Sequence, residues 1–205
     1  MGATRLGPPP AILTTSNQLA TTKINPLRLF RISRFNSGEP YFGKTGNGRF
    51  DAPDCKSGRA TYGTCYLGLS LQVALAESLL HDETPIDGEF EISLTVLKRH
   101  YAHRFIGLPL RLLSLTGATL KRMAGHADLA GTVDYATTQR WSLAIFNNPL
   151  RFDGFIYMSR HLNTEGAVVL FDRAATSIAA RLPSPALPNT SDFPAAACHL
   201  GLRII

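Results

Sequence analysis

Residues 36–60 put five glycines (Gly38, Gly43, Gly46, Gly48, Gly58) and two prolines (Pro40, Pro53) into one stretch without helical or strand periodicity. Glycine costs a regular element too much entropy, and proline removes a backbone donor, so neither a helix nor a strand runs through it. A connection this long in a compact domain usually carries function. Before it, Leu27 to Arg34 (LRLFRISR) alternates and predicts a first strand; after it, Tyr62 to Leu67 (YGTCYL) reads as a short buried strand.

Further along, Ser70 is a natural N-cap, and Leu71 to His81 reads as a helix with Leu71, Leu75 and Leu79 as its core stripe. Glu77 lies off that stripe. Its i−4 and i+3 neighbours, Val73 and Leu80, are apolar, which predicts a half-buried carboxylate. Glu89 to Val96 (EFEISLTV) gives the cleanest strand pattern, with Phe90, Ile92, Leu94 and Val96 on one face. Tyr101 to Ile106 reads as another strand, and Leu110 to Met123 as mixed helix and loop. Tyr135 to Phe146 is helical and stopped by Asn147-Asn148-Pro149, and Phe155 to Met158 and Ala167 to Phe171 are short apolar strands. No repeat is present. Strands and helices interspersed this irregularly favour an α+β fold over a doubly wound sheet.

The length of 205 residues favours one domain, and 44 % hydrophobic with 18 % charged residues excludes a disordered polyelectrolyte, a coiled coil and a collagen-like chain. Twenty-one basic against 15 acidic residues leave +6, which suits an anionic partner: nucleic acid, phosphorylated metabolite, acidic protein or membrane surface. Cys55, Cys65 and Cys198 are too few for a disulfide framework. The first residues hold no apolar leader segment, and the longest apolar stretches, 66–80 and 105–115, fall short of the ~20 residues of a membrane span. The expectation is a soluble cytoplasmic protein with no membrane partner.

Several chemistries find no support. His100 and His103 are spaced HxxH without companions, so no metal site is expected. Gly43 to Gly48 (GKTGNG) lacks phosphate-loop spacing, and there is no GxSxG. The basic run Lys98-Arg99-His100, with His103 and Arg104, reads as a solvated strand end. Without a helix-turn-helix, RRM or zinc-finger pattern, direct nucleic-acid binding is not expected.

Four features remain: Arg31 in a strand, Arg49 in Gly48-Arg49-Phe50-Asp51, Tyr66 leading to the Glu77 helix, and Ser159 in Asp153-Gly154-Phe155-Ile156-Tyr157-Met158-Ser159-Arg160. Two guanidiniums suit phosphate oxygens, a tyrosine suits a planar ring, and a half-buried carboxylate suits a positive sugar centre.

The segments LFRISR (29–34), FGKTGNGRFDAP (42–53), YGTCYLGLSLQVALAESL (62–79) and DGFIYMSR (153–160) resemble, in order and spacing, the RES domain, a bacterial family named for Arg, Glu and Ser. The resemblance implies a single α+β domain akin to ADP-ribosyltransferase toxins, with a mixed, mostly antiparallel sheet and flanking helices. It implies an N-terminal arm (1–26), a catalytic domain (27–182) and a Pro-rich C-terminal tail (183–205). It further implies an NAD+-degrading enzyme, a phosphorylase or a glycohydrolase, that releases nicotinamide and is the toxin of a pair with an Xre-type antitoxin; a homodimer also fits the family. NAD+ would be substrate, inorganic phosphate a possible co-substrate, and no other cofactor is called for.

Carried over by position, the family's catalytic residues fall on Arg31, Arg49, Glu77 and Ser159, and its substrate-contacting tyrosine on Tyr66, with Tyr62 as the alternative. Arg160 is a further phosphate contact. Ile32 stands where some members have an aromatic residue, and Phe50 where many have Trp. In this reading Arg31 and Arg49 hold the pyrophosphate or phosphate, Tyr66 packs on the nicotinamide end, and Glu77 steadies the oxocarbenium-like sugar. Ser159 orients by hydrogen bond, since no His/Asp pair is in view to make it a nucleophile. Two rival readings are ADP-ribosyl transfer to a macromolecule and a non-catalytic basic binding module.

Overall fold

In the computed structural model, which describes residues 5–205, ten strands and seven helices are found among the described residues. In chain order the elements are α1 (Ile12–Thr15), β1 (Thr21–Ile24), β2 (Phe30–Ser33), β3 (Thr64–Gly68), α2 (Leu71–Ala76), β4 (Phe90–Ile92) and α3 (Leu94–Lys98). There follow β5 (Tyr101–Gly107), β6 (Leu110–Leu115), α4 (Gly117–Arg122), α5 (Asp128–Gly131), α6 (Tyr135–Phe146), β7 (Gly154–Met158), β8 (Gly166–Phe171), β9 (Ile178–Ala180), α7 (Phe193–Leu200) and β10 (Leu202–Ile204). Eight strands make one sheet in the order β1-β6-β7-β8-β3-β2-β5-β9, and β4 pairs with β10 in a small separate ladder. Within the large sheet β6 and β7 run parallel and the other pairs antiparallel. This is the expected α+β architecture.

The strands at the centre are apolar on both faces. Ala167, Val169 and Phe171 of β8 join the cluster under α6, which adds Trp141, Ala144 and Ile145. Val168 and Leu170 point the other way, into a cluster that holds Leu112 of β6 together with Phe105 of β5 and Ile178 of β9. Strands near opposite ends of the sheet thus share one core, so the sheet curls until its ends pack on each other. A third cluster packs α2 and α7 over Ile32 of β2.

Two stretches depart from their sequence patterns. The alternating run 89–96 is strand only at Phe90–Ile92. Ser93 then accepts from the Thr95 N–H at 3.2 Å, caps α3, and leaves Leu94 and Val96 exposed while Leu97 turns inward. A local cap outweighs strand propensity that no neighbouring strand rewards. The run 110–115 is instead a full strand. Leu110, Leu112, Leu113 and Leu115 are all buried, on both faces, and that erases the alternation by which a strand is recognised. The helix expected over 71–81 ends at Ala76, its N-cap Ser70 accepting from the Val73 N–H at 3.2 Å.

Both ends of the described chain are stitched to the body. Leu13 is fully buried, Asn148 donates to the Leu13 carbonyl at 2.7 Å, Trp141 donates to Gly7 at 2.9 Å, and β1 pairs with β6. At the other end Phe193 and Ala196 of α7 are buried against α2. No helix among the described residues is long and apolar enough to cross a membrane.

Candidate active site

Glu77 caps the C-terminus of α2, where its carboxylate reaches the turn after β7. Its Oε1 accepts from the Ser159 hydroxyl at 2.6 Å and from the Arg160 N–H at 3.0 Å. Ser159 is buried and is fixed in turn by accepting from the Leu162 N–H at 3.0 Å. One carboxylate oxygen therefore ties two segments together. Oε2 takes no protein donor among the described residues.

The glycine-rich stretch is held in place by Asp51, which is buried. Its Oδ2 accepts from the Gly48 N–H at 2.9 Å, and its Oδ1 from Thr64 at 2.6 Å and from the Tyr66 hydroxyl at 3.0 Å. The same Tyr66 oxygen accepts from the Phe50 N–H at 2.9 Å. Helix α6 completes the clamp. Gln139 donates to the carbonyls of Gly46 at 3.1 Å and Gly48 at 3.0 Å, and Thr138 to that of Arg49 at 2.6 Å. Any larger residue at Gly48 would force a shift, because a Cβ there would lie 2.5 Å from both Asp51 Oδ1 and the Tyr66 oxygen. Burial, then the Asp51 charge, hold the Tyr66 hydroxyl well above the usual tyrosine range, so it serves as a neutral bridge.

Three arginines face the same cleft in different states. Arg31 donates to the Tyr66 carbonyl at 2.9 Å and pairs through Nε with the buried carboxylate of Glu39 at 2.8 Å. Arg49 bonds the Thr132 carbonyl and lies 4.8 Å above the Tyr135 ring. Burial draws its pKa down, and the charge of Arg160 adds to that, while Tyr135, Tyr157 and Glu77 pull the other way. Arg160 is exposed, and its guanidinium has no protein partner among the described residues.

Arg31, Arg49, Tyr66, Glu77 and Arg160 all line one cleft of about 310 Å³, together with Tyr135 and Tyr157. Ser159 stands behind the carboxylate it orients. Tyr62 does not reach the cleft. It is fully buried, donates to Ser142 at 2.9 Å, stacks on Phe146 at 4.5 Å, and burial raises its pKa. The run 98–104 is dispersed: His103 is fully buried, and Arg104 pairs with Asp192 at 3.1 Å and stacks over Phe30 at 4.4 Å. No cluster of three or more metal-ligating side chains occurs among the described residues.

Residues that the sequence did not single out complete the cleft. His81 and His161 line it with ring centroids 4.5 Å apart, and burial, foremost, lowers the His161 pKa. Glu39, Tyr135 and Gln139 meet their partners only through the tertiary fold. Asp51 did carry a signal: an Asp three residues past a glycine, inside a turn-rich stretch, is a natural holder of backbone N–H groups.

Comparisons with known proteins agree with one another. A family model described as RES domain matches residues 28–192. A protein of Sinorhizobium fredii (strain NBRC 101917 / NGR234) named "Probable toxin y4kH" is 33 % identical over 101 residues, spanning 49 % of this chain and 79 % of that protein. A chain of the crystal structure of the M. tuberculosis MbcT–MbcA toxin–antitoxin complex superposes with a TM-score of 0.56 at 14 % identity, covering 78 % of this chain and 84 % of that one, which is a likeness of fold. With the family match running from β2 to the start of α7, the chain belongs to the RES domain family.

Proposed function

We propose that the protein cleaves NAD+ at the bond between ribose and nicotinamide, as a phosphorylase or a glycohydrolase, and that it is the toxin of a cytoplasmic toxin–antitoxin pair with an Xre-type antitoxin. The observation that carries this reading is Glu77: one oxygen pinned by Ser159 and Arg160, the other facing a cleft that holds three arginines. The names of the relative and of the structural neighbour, a toxin and a toxin–antitoxin complex, support the second half.

The chemistry suits the residues. The nicotinamide nitrogen is already positive, so when the C–N bond breaks its electron pair stays on that nitrogen and neutralises it, and no strong acid is required. The barrier is the oxocarbenium-like ribose, which an anionic oxygen close by stabilises in a partly desolvated cleft. Glu77 Oε2 is the oxygen available for that. Arg160 and Arg49 hold the diphosphate, with Arg31 closing the far wall, and the ring of Tyr66 packs against the substrate while its hydroxyl is engaged with Asp51 and Phe50. A phosphate or water oxygen then bonds to C1 of the ribose, and water gives up its proton to solvent.

The test is incubation of purified protein with NAD+, with and without inorganic phosphate, reading nicotinamide and the mass of the other product. ADP-ribose marks hydrolysis, and the same species carrying one more phosphate marks phosphorolysis. Absence of nicotinamide in both buffers overturns the reading.

A further inference from the structure

A second cavity, of about 430 Å³, lies beside the first, and the two share Tyr157 and Arg160 in their walls. The turn after β7 forms one side of it and the segment from α4 to α5 the other. Its chemistry differs from that of the first cleft. Leu120 and Leu129 make it apolar, and among the described residues Arg160 is its only lining Arg, Lys, Asp or Glu. His126 also lines it. The His126 Nδ1 faces the Asp128 N–H at 3.4 Å and the Asp128 carboxylate at 3.8 Å. Whether Nδ1 accepts from that N–H or the protonated ring pairs with that carboxylate, Nε2 carries a proton, and that buried nitrogen has no partner among the described residues. A buried donor without an acceptor is costly, and a ligand acceptor would relieve it.

The geometry points to this second cavity as the seat of the purine end of the dinucleotide: adenosine between β7 and α5, the diphosphate passing Arg160, and the nicotinamide ribose at Glu77. The inference rests on the NAD+ reading and adds to it. At about 310 Å³ the first cleft is at the small end of the roughly 300–1,000 Å³ that ligand pockets occupy, so a dinucleotide must extend beyond it. Of the three arginines in the first cleft, Arg160 is the one whose guanidinium has no protein partner among the described residues, and it stands at the junction, where the diphosphate of an extended dinucleotide would cross from one cavity to the other. A flat heteroaromatic base fits apolar walls, and its ring nitrogens are acceptors for the unpaired His126 donor.

The experiment compares NAD+ with nicotinamide mononucleotide, which has the same scissile bond and no adenosine, as substrates of the full chain. Wild-type kcat/KM is expected to be at least about tenfold higher for NAD+. Ala130→Phe, which fills the cavity from α5, should raise KM for NAD+ about tenfold and leave kcat/KM for the mononucleotide unchanged, and His126→Ala should do the same to a smaller degree. Where Ala130→Phe also loses the mononucleotide activity through misfolding, His126→Ala decides. Equal wild-type kcat/KM for the two substrates, or variants that alter both alike or neither, overturns the seat assignment. Failure of the wild-type chain to cleave NAD+ at all removes the underlying reading, a result distinct from either.

Discussion

Ser159 and Glu77 stand 82 residues apart in the chain and 2.6 Å apart in space. The hydroxyl donates to a carboxylate oxygen, a hydrogen bond of the stronger, charge-assisted kind. Ser159→Ala leaves Glu77 with the Arg160 N–H alone and leaves the Leu162 N–H without its acceptor. In the proposed reaction the carboxylate then swings, and kcat should fall about tenfold with KM little changed, about 1.4 kcal/mol of barrier. Thermal unfolding should show a loss of about 1.5–3 kcal/mol.

Glu77→Gln separates charge from shape. The amide oxygen can still accept from Ser159 and Arg160, so the fold is kept and the melting temperature stays close to wild type. The anionic charge beside the ribose is gone, and nicotinamide release should slow by at least about a hundredfold, some 2.7 kcal/mol. Activity close to wild type would remove the role given to Glu77.

Tyr62 and Tyr66 should respond differently to the same change. Tyr66→Phe strands the Phe50 N–H and takes a donor from Asp51, costing about 1–3 kcal/mol of stability, while its ring still lines the cleft and KM moves little. Tyr62→Phe loses one bond to Ser142, costs about 1 kcal/mol, and leaves kcat and KM untouched. Denaturant melts and steady-state kinetics on both variants check this.

Gly48→Ala puts a methyl 2.5 Å from two oxygens that are each held by other bonds. One of those bonds must break. We expect a loss of about 1–3 kcal/mol of stability and a lower kcat/KM, because Arg49 rides on the displaced backbone. Gly58→Ala, at a left-handed position with open space around it, should lower stability without a comparable kinetic effect.

His103 gives the fold an acid sensitivity. It is fully buried in β5, its Nε2 2.9 Å from the Phe35 carbonyl and its Nδ1 2.8 Å from the Ser184 hydroxyl, and burial, foremost, lowers its pKa. The native state therefore stays neutral where the unfolded chain, near the ordinary value of 6.5, takes up a proton. Below that value the unfolded state binds more protons, so stability decreases as the pH is lowered from 6.5 toward the depressed native value and is level above 6.5. His103→Gln should flatten part of that slope in urea melts at pH 5 to 8, the remainder belonging to groups such as His161, whose pKa is also lowered.

What could be read in advance follows from the range of the forces involved. Helix α6 has the bounds that its pattern implies, because its start and stop are local: Asp134 accepts from the Ala136 N–H at 3.0 Å, and Asn147 caps the other end before Pro149. The half-buried place of Glu77 is legible in Val73 and Leu80. Its donors are not, since they arrive from another strand. Tyr62 and Tyr66 are four residues apart, an even number, so strand periodicity points both to one face and cannot tell which meets the cleft. The strand at 110–115 is hidden because both of its sides are covered, and the run 89–96 misleads because Ser93 can cap a helix as well as continue a strand.

The clamp on the glycine-rich stretch sets an order of events during synthesis. Gly46, Gly48 and Arg49 leave the ribosome roughly 90 residues ahead of Thr138 and Gln139, the side chains that hold their carbonyls. Contacts of such sequence separation form late. A nascent or truncated chain that ends before α6 carries Arg31, Arg49 and Glu77 and still has no fixed loop, so the cell making this protein meets the assembled cleft only after α6 has been added.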